Sequence, residues 1–269
     1  MSPRQCRELH YHQQRAAELK SKIDEPVSLA VVTQPKRRWW NAYWETYRLA
    51  LHANLAGKRV VVPGCGFGED SIRLACTGAE VYAFDLSPEI VGIARQRAEK
   101  MDLDIAFDSM PVEKTSYPDQ FFDAVWFLDI LHHVDIPATL TEMRRILKPS
   151  ALIIVDELYT HSSLERVRKT RLIAGWLYPR MQRFIYGEER PYITPDEHKI
   201  DEREFAIIAE EFRPEKKLYF NFLVGRLLPQ RFELAAKLDR IIIGILGPLG
   251  YFLAGRVVFI GKRRGENAL

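Results

Sequence analysis

The 269-residue chain has little cysteine, little surplus charge and no long apolar run, and each shortage argues against a class of protein. Its three cysteines, Cys6, Cys65 and Cys76, form no CxxC pair and have no histidine at ligand spacing. That argues against a disulfide scaffold and against a metal site, and it points to a reducing compartment. Lys and Arg number 39 against 36 Asp and Glu, and a net charge of +3 is too small to announce a nucleic-acid partner. Met1 to Glu8 lack the apolar core of a signal peptide, so a cytoplasmic location is expected. The most apolar stretch, Ile241 to Ala254, has 14 residues and is broken at Gly247-Pro248. A spanning helix needs about 20, so this segment cannot cross a bilayer alone. No internal repeat or low-complexity tract is present. What is there, 47% hydrophobic residues in 269, suffices for one large α/β domain or two small ones.

From Lys58 onward, apolar strands alternate with amphipathic helices. Arg59 to Pro63 is a continuous β-branched run ended by glycines, as expected of a strand covered on both faces. Strands are predicted over 80–85, 104–107, 123–128 and 151–155, and helices over 70–77, 88–100 and 138–147. Ser87 is placed as an N-cap with Pro88 in the first turn. Such alternation gives a parallel sheet. Two further strand-like runs, 217–222 and 256–260, flank an apolar helical segment at 232–254.

Pro63-Gly64-Cys65-Gly66-Phe67-Gly68 sits where the first strand turns into the first helix, and its glycines admit a ligand close to the backbone. No Walker lysine follows, which rejects a P-loop. The dinucleotide fingerprint fails from Gly64, where Glu69 occupies the last position, and is nearly met from Gly66, where Ser71 does, so a nicotinamide dinucleotide remains open on the loop alone. Asp85 ends the second strand 17 residues beyond Gly68, where a carboxylate can accept from both hydroxyls of a ribose.

Together the glycine loop, Asp85, Asp108 and the segment after the fourth strand resemble the class I S-adenosylmethionine-dependent methyltransferases, in particular the group containing ubiquinone and menaquinone biosynthesis enzymes. The resemblance covers roughly residues 57–157. It implies an α/β fold: a Rossmann-like seven-stranded sheet, parallel with an antiparallel last strand, helices on both faces and helical cover inserts. The implied organisation is a helical cover over 1–56, a cofactor-binding core over 57–157, a substrate cover over 158–212, and a final strand pair over 213–269 with the apolar insert 232–254. It implies S-adenosyl-L-methionine as cofactor, with Gly64, Cys65, Gly66 and Gly68 under its methionine part, Asp85 on the ribose and Leu86 against the adenine. Asp108 matches the carboxylate that accepts from the adenine amino group, with the backbone of Ser109 and Met110 available to the ring. One departure matters: the acidic residue usual two positions before the first glycine is Val62 here, and Asp129 is the candidate to compensate. The turn after Lys148-Pro149 is Ser150-Ala151 where Gly-Gly is usual.

Methyl transfer from a sulfonium requires alignment and exclusion of water, and a base only where the nucleophile carries a proton. His133 and His132 are the candidates, since imidazole titrates near neutrality and the carboxyl ends of strands are where open α/β sheets bind ligands. Adjacent residues point in different directions, so at most one of the two is expected to face the substrate; helix capping is the plainer alternative for both. Asp156, Glu157 and His161 are weaker candidates. No Asn-Pro-Pro-Tyr sequence follows strand four, which speaks against amide and adenine acceptors. The substrate is expected between two aromatic covers, one carrying Trp40, Tyr43 and Trp44 at helical spacing, the other Tyr159, Trp176 and Tyr186 with His161. Core packing is the alternative for each. The expectation is a methyltransferase acting on a hydroxyl or amine of a small, lipophilic acceptor. A polar sugar or specialised metabolite, or a non-catalytic binding partner, are the competing readings. Segment 241–254 is read as a buried helix, a peripheral membrane contact at the inner face of a membrane, or a homodimer contact.

Overall fold

The computed structural model describes residues 5–7, 9, 23–34, 41–171, 173–177, 180, 199–220, 233–246 and 249–264. In chain order the main elements are α1 (Ala42–Ala53), β1 (Arg59–Pro63), α2 (Glu69–Ala75), β2 (Glu80–Asp85), α3 (Pro88–Glu99), β3 (Ala106–Ser109), β4 (Phe122–Leu128), α4 (Ile136–Ile146) and β5 (Leu147–Leu158). Then come α5 (Ser162–Arg168), α6 (Glu202–Glu211), β6 (Phe212–Phe220), α7 (Glu233–Leu246), α8 (Gly250–Leu253) and β7 (Arg256–Arg263). The strands form a single seven-stranded sheet in the order β3-β2-β1-β4-β5-β7-β6. Only β7 runs against its neighbours β5 and β6.

The β-branched run of β1 is covered on both sides. Val60 and Val62 join an apolar cluster with Tyr47 of α1, Ile72 of α2, Ala94 of α3 and Trp126. Val61 faces the opposite cluster, with Phe127, Met143 of α4 and Phe205 of α6. Alternation along the strand thus sends successive side chains to two cores, and helices close both.

Several boundaries moved for identifiable reasons. β3 begins at Ala106, two residues later than predicted, because its partners are the last residues of β2, with Asp85 opposite Ser109. α4 begins at Ile136 because the Asp135 carboxylate accepts the Ala138 N–H at 2.9 Å, an N-cap with Pro137 in the first turn. β5 is longer at both ends than the predicted 151–155, since β4 pairs with it from Leu147 and β7 pairs with it to Leu158. β6 was expected over 217–222 and runs from Phe212 to Phe220; 221–222 lie outside the described residues. Ser87 caps α3 as predicted, its Oγ accepting the Ile90 N–H at 3.3 Å. No described helix is long and apolar enough to cross a membrane.

Candidate functional site

The parallel strands β1, β2, β4 and β5 all end at one edge of the sheet, and a cavity of about 190 Å³ opens there. Its polar wall includes Gly64, Gly66, Asp85, Glu113, Asp129 and His133. Its apolar wall includes Phe84, Leu86, Met110, Val112, Ile130 and Val134.

The glycine loop reaches the cavity because two residues adopt left-handed torsions. Gly64 has φ +63°, and a Cβ there would stand 2.5 Å from Ile130 Cδ1. Gly66 has φ +50° and nothing within 4 Å of where a Cβ would lie, so the backbone at Gly66 is bare toward the cavity. The loop is held by hydrogen bonds from the Cys65 N–H to the Phe84 carbonyl at 3.0 Å and from the Gly68 N–H to the Cys65 carbonyl at 2.9 Å. Burial pushes the Cys65 thiol well above its ordinary range, with Asp85 adding to the effect, so it stays protonated and packs as an apolar group.

Asp85, 9% exposed, accepts the Gly66 N–H through Oδ2 at 3.1 Å and the Ser87 N–H through Oδ1 at 3.2 Å. Each carboxylate oxygen keeps a further acceptor site, which is what two ribose hydroxyls require. Asp108 ends up beside the loops and off the cavity wall, accepting from the Tyr117 hydroxyl at 3.3 Å. Cys65, Gly68 and Ser109 also lie off that wall, while Leu86 and Met110 are on it.

The carboxyl ends of β4 and β5 carry a charged network that sequence reasoning read only in part. Glu157 is fully buried; its Oε2 accepts the N–H groups of Ile130 at 3.0 Å and Leu131 at 2.7 Å, and its Oε1 accepts the Leu158 N–H at 2.8 Å. His132 Nδ1 lies 2.5 Å from the same Oε1. Burial opposes ionisation of Glu157, but the hydrogen bond and positive field of His132 prevail and hold its carboxyl below the usual range. Glu157 therefore accepts and His132 donates. Next to it, Arg256 at the start of β7 bonds Asp156 Oδ1 through Nε at 2.8 Å and Asp129 Oδ1 through Nη2 at 2.8 Å. Desolvation pushes buried Asp156 up to about 6 even though Arg256 pulls it down. Asp129, with 41% of its side chain accessible, is likewise raised, by desolvation first and by Glu157, against Arg256. Asp129 has φ +52°, a torsion asparagine and aspartate tolerate better than other side-chain-bearing residues, and its N–H bonds the Asp156 carbonyl. Asp129, His132 and Glu157 each offer an atom within 4.8 Å of the others, but Arg256 and the His132–Glu157 bond already engage all three.

The two adjacent histidines point to different places. His133 lines the cavity, whereas His132 is 3% exposed, turned onto Glu157 and off that wall. The described residues of the two aromatic covers lie away from this cavity. Tyr43 and Trp44 pack with the apolar cluster over β1 and β4 and do not line this cavity; the hydroxyls of Tyr43 and Tyr47 both donate to Asp70 Oδ1, at 2.9 and 2.5 Å. Tyr159 is fully buried and stacked against Tyr219 at 5.3 Å. His161 caps α5, its Nδ1 accepting the Ser163 N–H at 3.1 Å, and stacks on Phe252 at 4.3 Å. Trp176 is 55% exposed under the Arg180 guanidinium. Trp40 and Tyr186 lie outside the described residues. Missed altogether were Gln5, which lines the cavity and donates to Glu113 Oε2 at 3.0 Å, and Arg256. The signal for Arg256 was present: a cation opening an otherwise buried strand, facing consecutive acids at the end of another.

A family model described as a methyltransferase domain matches residues 61–155. The chain is 27% identical to the demethylmenaquinone methyltransferase of Tropheryma whipplei (strain Twist), over 62% of this chain and 71% of that one. It is 31% identical to the ubiquinone biosynthesis O-methyltransferase of Alkalilimnicola ehrlichii, over 51% of this chain and 59% of that one. Among solved structures, magnesium protoporphyrin IX methyltransferase from Synechocystis PCC 6803 with bound SAH superposes with a TM-score of 0.57 at 18% identity, covering 97% of this chain and 99% of that one.

Proposed function

We propose that this chain, an S-adenosylmethionine-dependent methyltransferase by its matched domain and its relatives, methylates a hydroxyl or amine of a small, lipophilic acceptor of the quinone kind. The observation that carries the reading is the cavity itself. Beside the glycine loop and Asp85, half of its wall is apolar, from Phe84, Leu86, Met110, Pro111, Val112, Ile130 and Val134, and the other polar groups are Gln5, Glu113, Asp129 and His133, of which the His133 imidazole is the one basic group. A sugar hydroxyl turned toward the apolar part of that wall would be left unpaired, at about 1–3 kcal/mol. The names of the relatives, a demethylmenaquinone and a ubiquinone-pathway enzyme, point the same way.

The cofactor fits the residues present: bare backbone at Gly66 and a carboxylate with spare acceptor sites at Asp85. In this reading Asp85 holds the ribose, Leu86 and Met110 flank the adenine, and Asp108 accepts from its amino group. Asp129 takes the methionine ammonium, in place of the acid that Val62 replaces. The cofactor supplies an electrophilic methyl group on a sulfonium. The chain aligns the acceptor against Ile130 and Val134, keeps water from it, and accepts the hydroxyl or ammonium proton at His133. Glu157 acts through others: it fixes the backbone of Ile130 and Leu131, and so the direction of His133 two residues on.

Incubation of the purified chain with methyl-labelled cofactor and a fractionated cell extract tests the acceptor class. Label is expected in the organic phase; label confined to the aqueous phase refutes the lipophilic reading. His133→Ala is expected to lower turnover while S-adenosylhomocysteine affinity stays constant, and unchanged turnover removes His133 from the mechanism.

A further inference from the structure

β7 is antiparallel, so it begins where the parallel strands end: Arg256 stands opposite both Leu158, the last residue of β5, and Phe220, the last of β6. Everything inserted after β5 and between β6 and β7 therefore leaves the sheet at the edge that holds the cavity. On α7 the residues Ile242, Ile243 and Leu246 pack against the core. Leu238, Ile241 and Ile245, at spacing i, i+3, i+7, form a second stripe that faces solvent and is 50%, 58% and 79% exposed. Leu249 and Leu253 extend it past α7, at 60% and 42%. α8 touches α5, where Val167 is exposed, and His161 at the head of α5 stacks on Phe252. Of the eight large apolar side chains exposed among the described residues, all but Ile207 belong to these two inserts.

The charges in the two inserts that carry this apolar face are predominantly basic. Residues 162–180 and 233–253 together carry seven Lys/Arg against three Asp/Glu, in a chain whose total is only +3. Lys237 and Arg240, exposed, lie on the side of α7 next to the stripe, and Arg166, Lys169, Arg171 and Arg180 are exposed on the other insert. A second copy of the chain docked here about a two-fold axis would bring this basic rim against itself. An anionic bilayer complements both parts: acyl chains accept the stripe, and headgroups pair with the rim.

We propose that the α7–α8 stripe and the basic residues around it form a monotopic docking surface for anionic membranes, which holds the cavity edge of the sheet at the bilayer interface. The surface goes beyond the acceptor reading and does not depend on it. A chain that docks yet methylates a polar acceptor would float with vesicles and still fail the organic-phase assay.

The test is flotation of the full chain with vesicles of phosphatidylcholine alone and of phosphatidylcholine with phosphatidylglycerol. The wild type is expected to float with the phosphatidylglycerol vesicles and to be released by salt. Ile245→Asp is expected to weaken binding about tenfold or more, from one apolar side chain withdrawn from the interface. Lys237→Glu should weaken it selectively on the anionic vesicles. Because Ile245 and Lys237 are exposed, S-adenosylhomocysteine binding by calorimetry should be the same in all three proteins. A wild type that stays with the unbound fraction on both vesicles overturns the proposal, as does an Ile245→Asp variant that floats equally well. A wild-type dimer that Ile245→Asp turns into a monomer, with no vesicle binding by either, overturns it in favour of a second copy.

Discussion

Asp156 offers the sharpest test of the charge network. It is fully buried, bonded through Oδ1 to Arg256, and its Oδ2 has no hydrogen-bond partner among the described residues. Desolvation raises its pKa to about 6 in spite of the guanidinium beside it. In the unfolded chain the ordinary aspartate value is about 3.9. A folded-state pKa above the unfolded one means that the native protein binds the extra proton. Stability from this group is therefore fully present below about pH 4 and is lost as pH rises through about 6. Two units at 1.36 kcal/mol each give about 3 kcal/mol. Asp156→Asn keeps an acceptor for Arg256 Nε, places an amide where the orphaned oxygen stood, and removes the titration. The difference in unfolding free energy, variant minus wild type, is expected to rise by about 3 kcal/mol between about pH 4 and 7 and to level off above that. Urea denaturation of both proteins across that range measures it, and subtraction cancels the other ionising groups that titrate alike in both proteins. A flat difference, or one that falls with pH, would refute the assignment of a buried, desolvated Asp156.

Glu157→Gln turns one acceptor oxygen toward backbone donors as an amide and removes the charge that His132 pairs with, so the urea midpoint should fall by the equivalent of about 3–5 kcal/mol; an unchanged midpoint would show that the carboxylate is not needed. Asp129→Asn should weaken S-adenosylhomocysteine binding about tenfold to hundredfold by calorimetry, the worth of a hydrogen bond to a charged group, and equal affinity would return the methionine ammonium to another partner. Gly66→Ala should cost about 1–2 kcal/mol of stability from its torsion alone. Gly64→Ala should cost more, because its Cβ also meets Ile130 at 2.5 Å; equal costs would contradict that close approach.

The central strands and the capped helices were legible because their causes are local. A run such as Val60-Val61-Val62 states that both faces are covered, and Ser87-Pro88 states where a helix starts. Strand ends were less legible, since β3 and β5 take their limits from the strands they pair with. In the site, Asp85 and the glycines were readable from spacing, for the loop and the strand end that carry them are consecutive in the chain. The roles of His132 and His133 were not, because which of them turns inward is decided by Glu157, 25 residues from His132 in sequence and 2.5 Å away in space. The surroundings of the aromatic helix were not legible for a related reason. Its spacing defines a face without saying what the face meets, and Tyr47 meets Trp126 at 4.9 Å, on the sheet rather than on a ligand.

The direction of β7 links these points. A strand parallel to the others would bring its last residue to the cavity edge, after all of its chain had been used. An antiparallel strand brings its first, so one insert and one cation arrive there together. Arg256 follows the apolar insert directly and lies between Asp129 and Asp156. Without it, the carboxylates at the ends of β4 and β5 would lack a shared cation in a desolvated space, where Asp129 already raises the pKa of Asp156. With it, Asp129 on the cavity wall has a cation beside it that favours its charged form, although Val62 leaves the usual position apolar. The same peptide segment thus anchors the insert and sets the charge of the site, so a substitution at Arg256 is expected to disturb both at once.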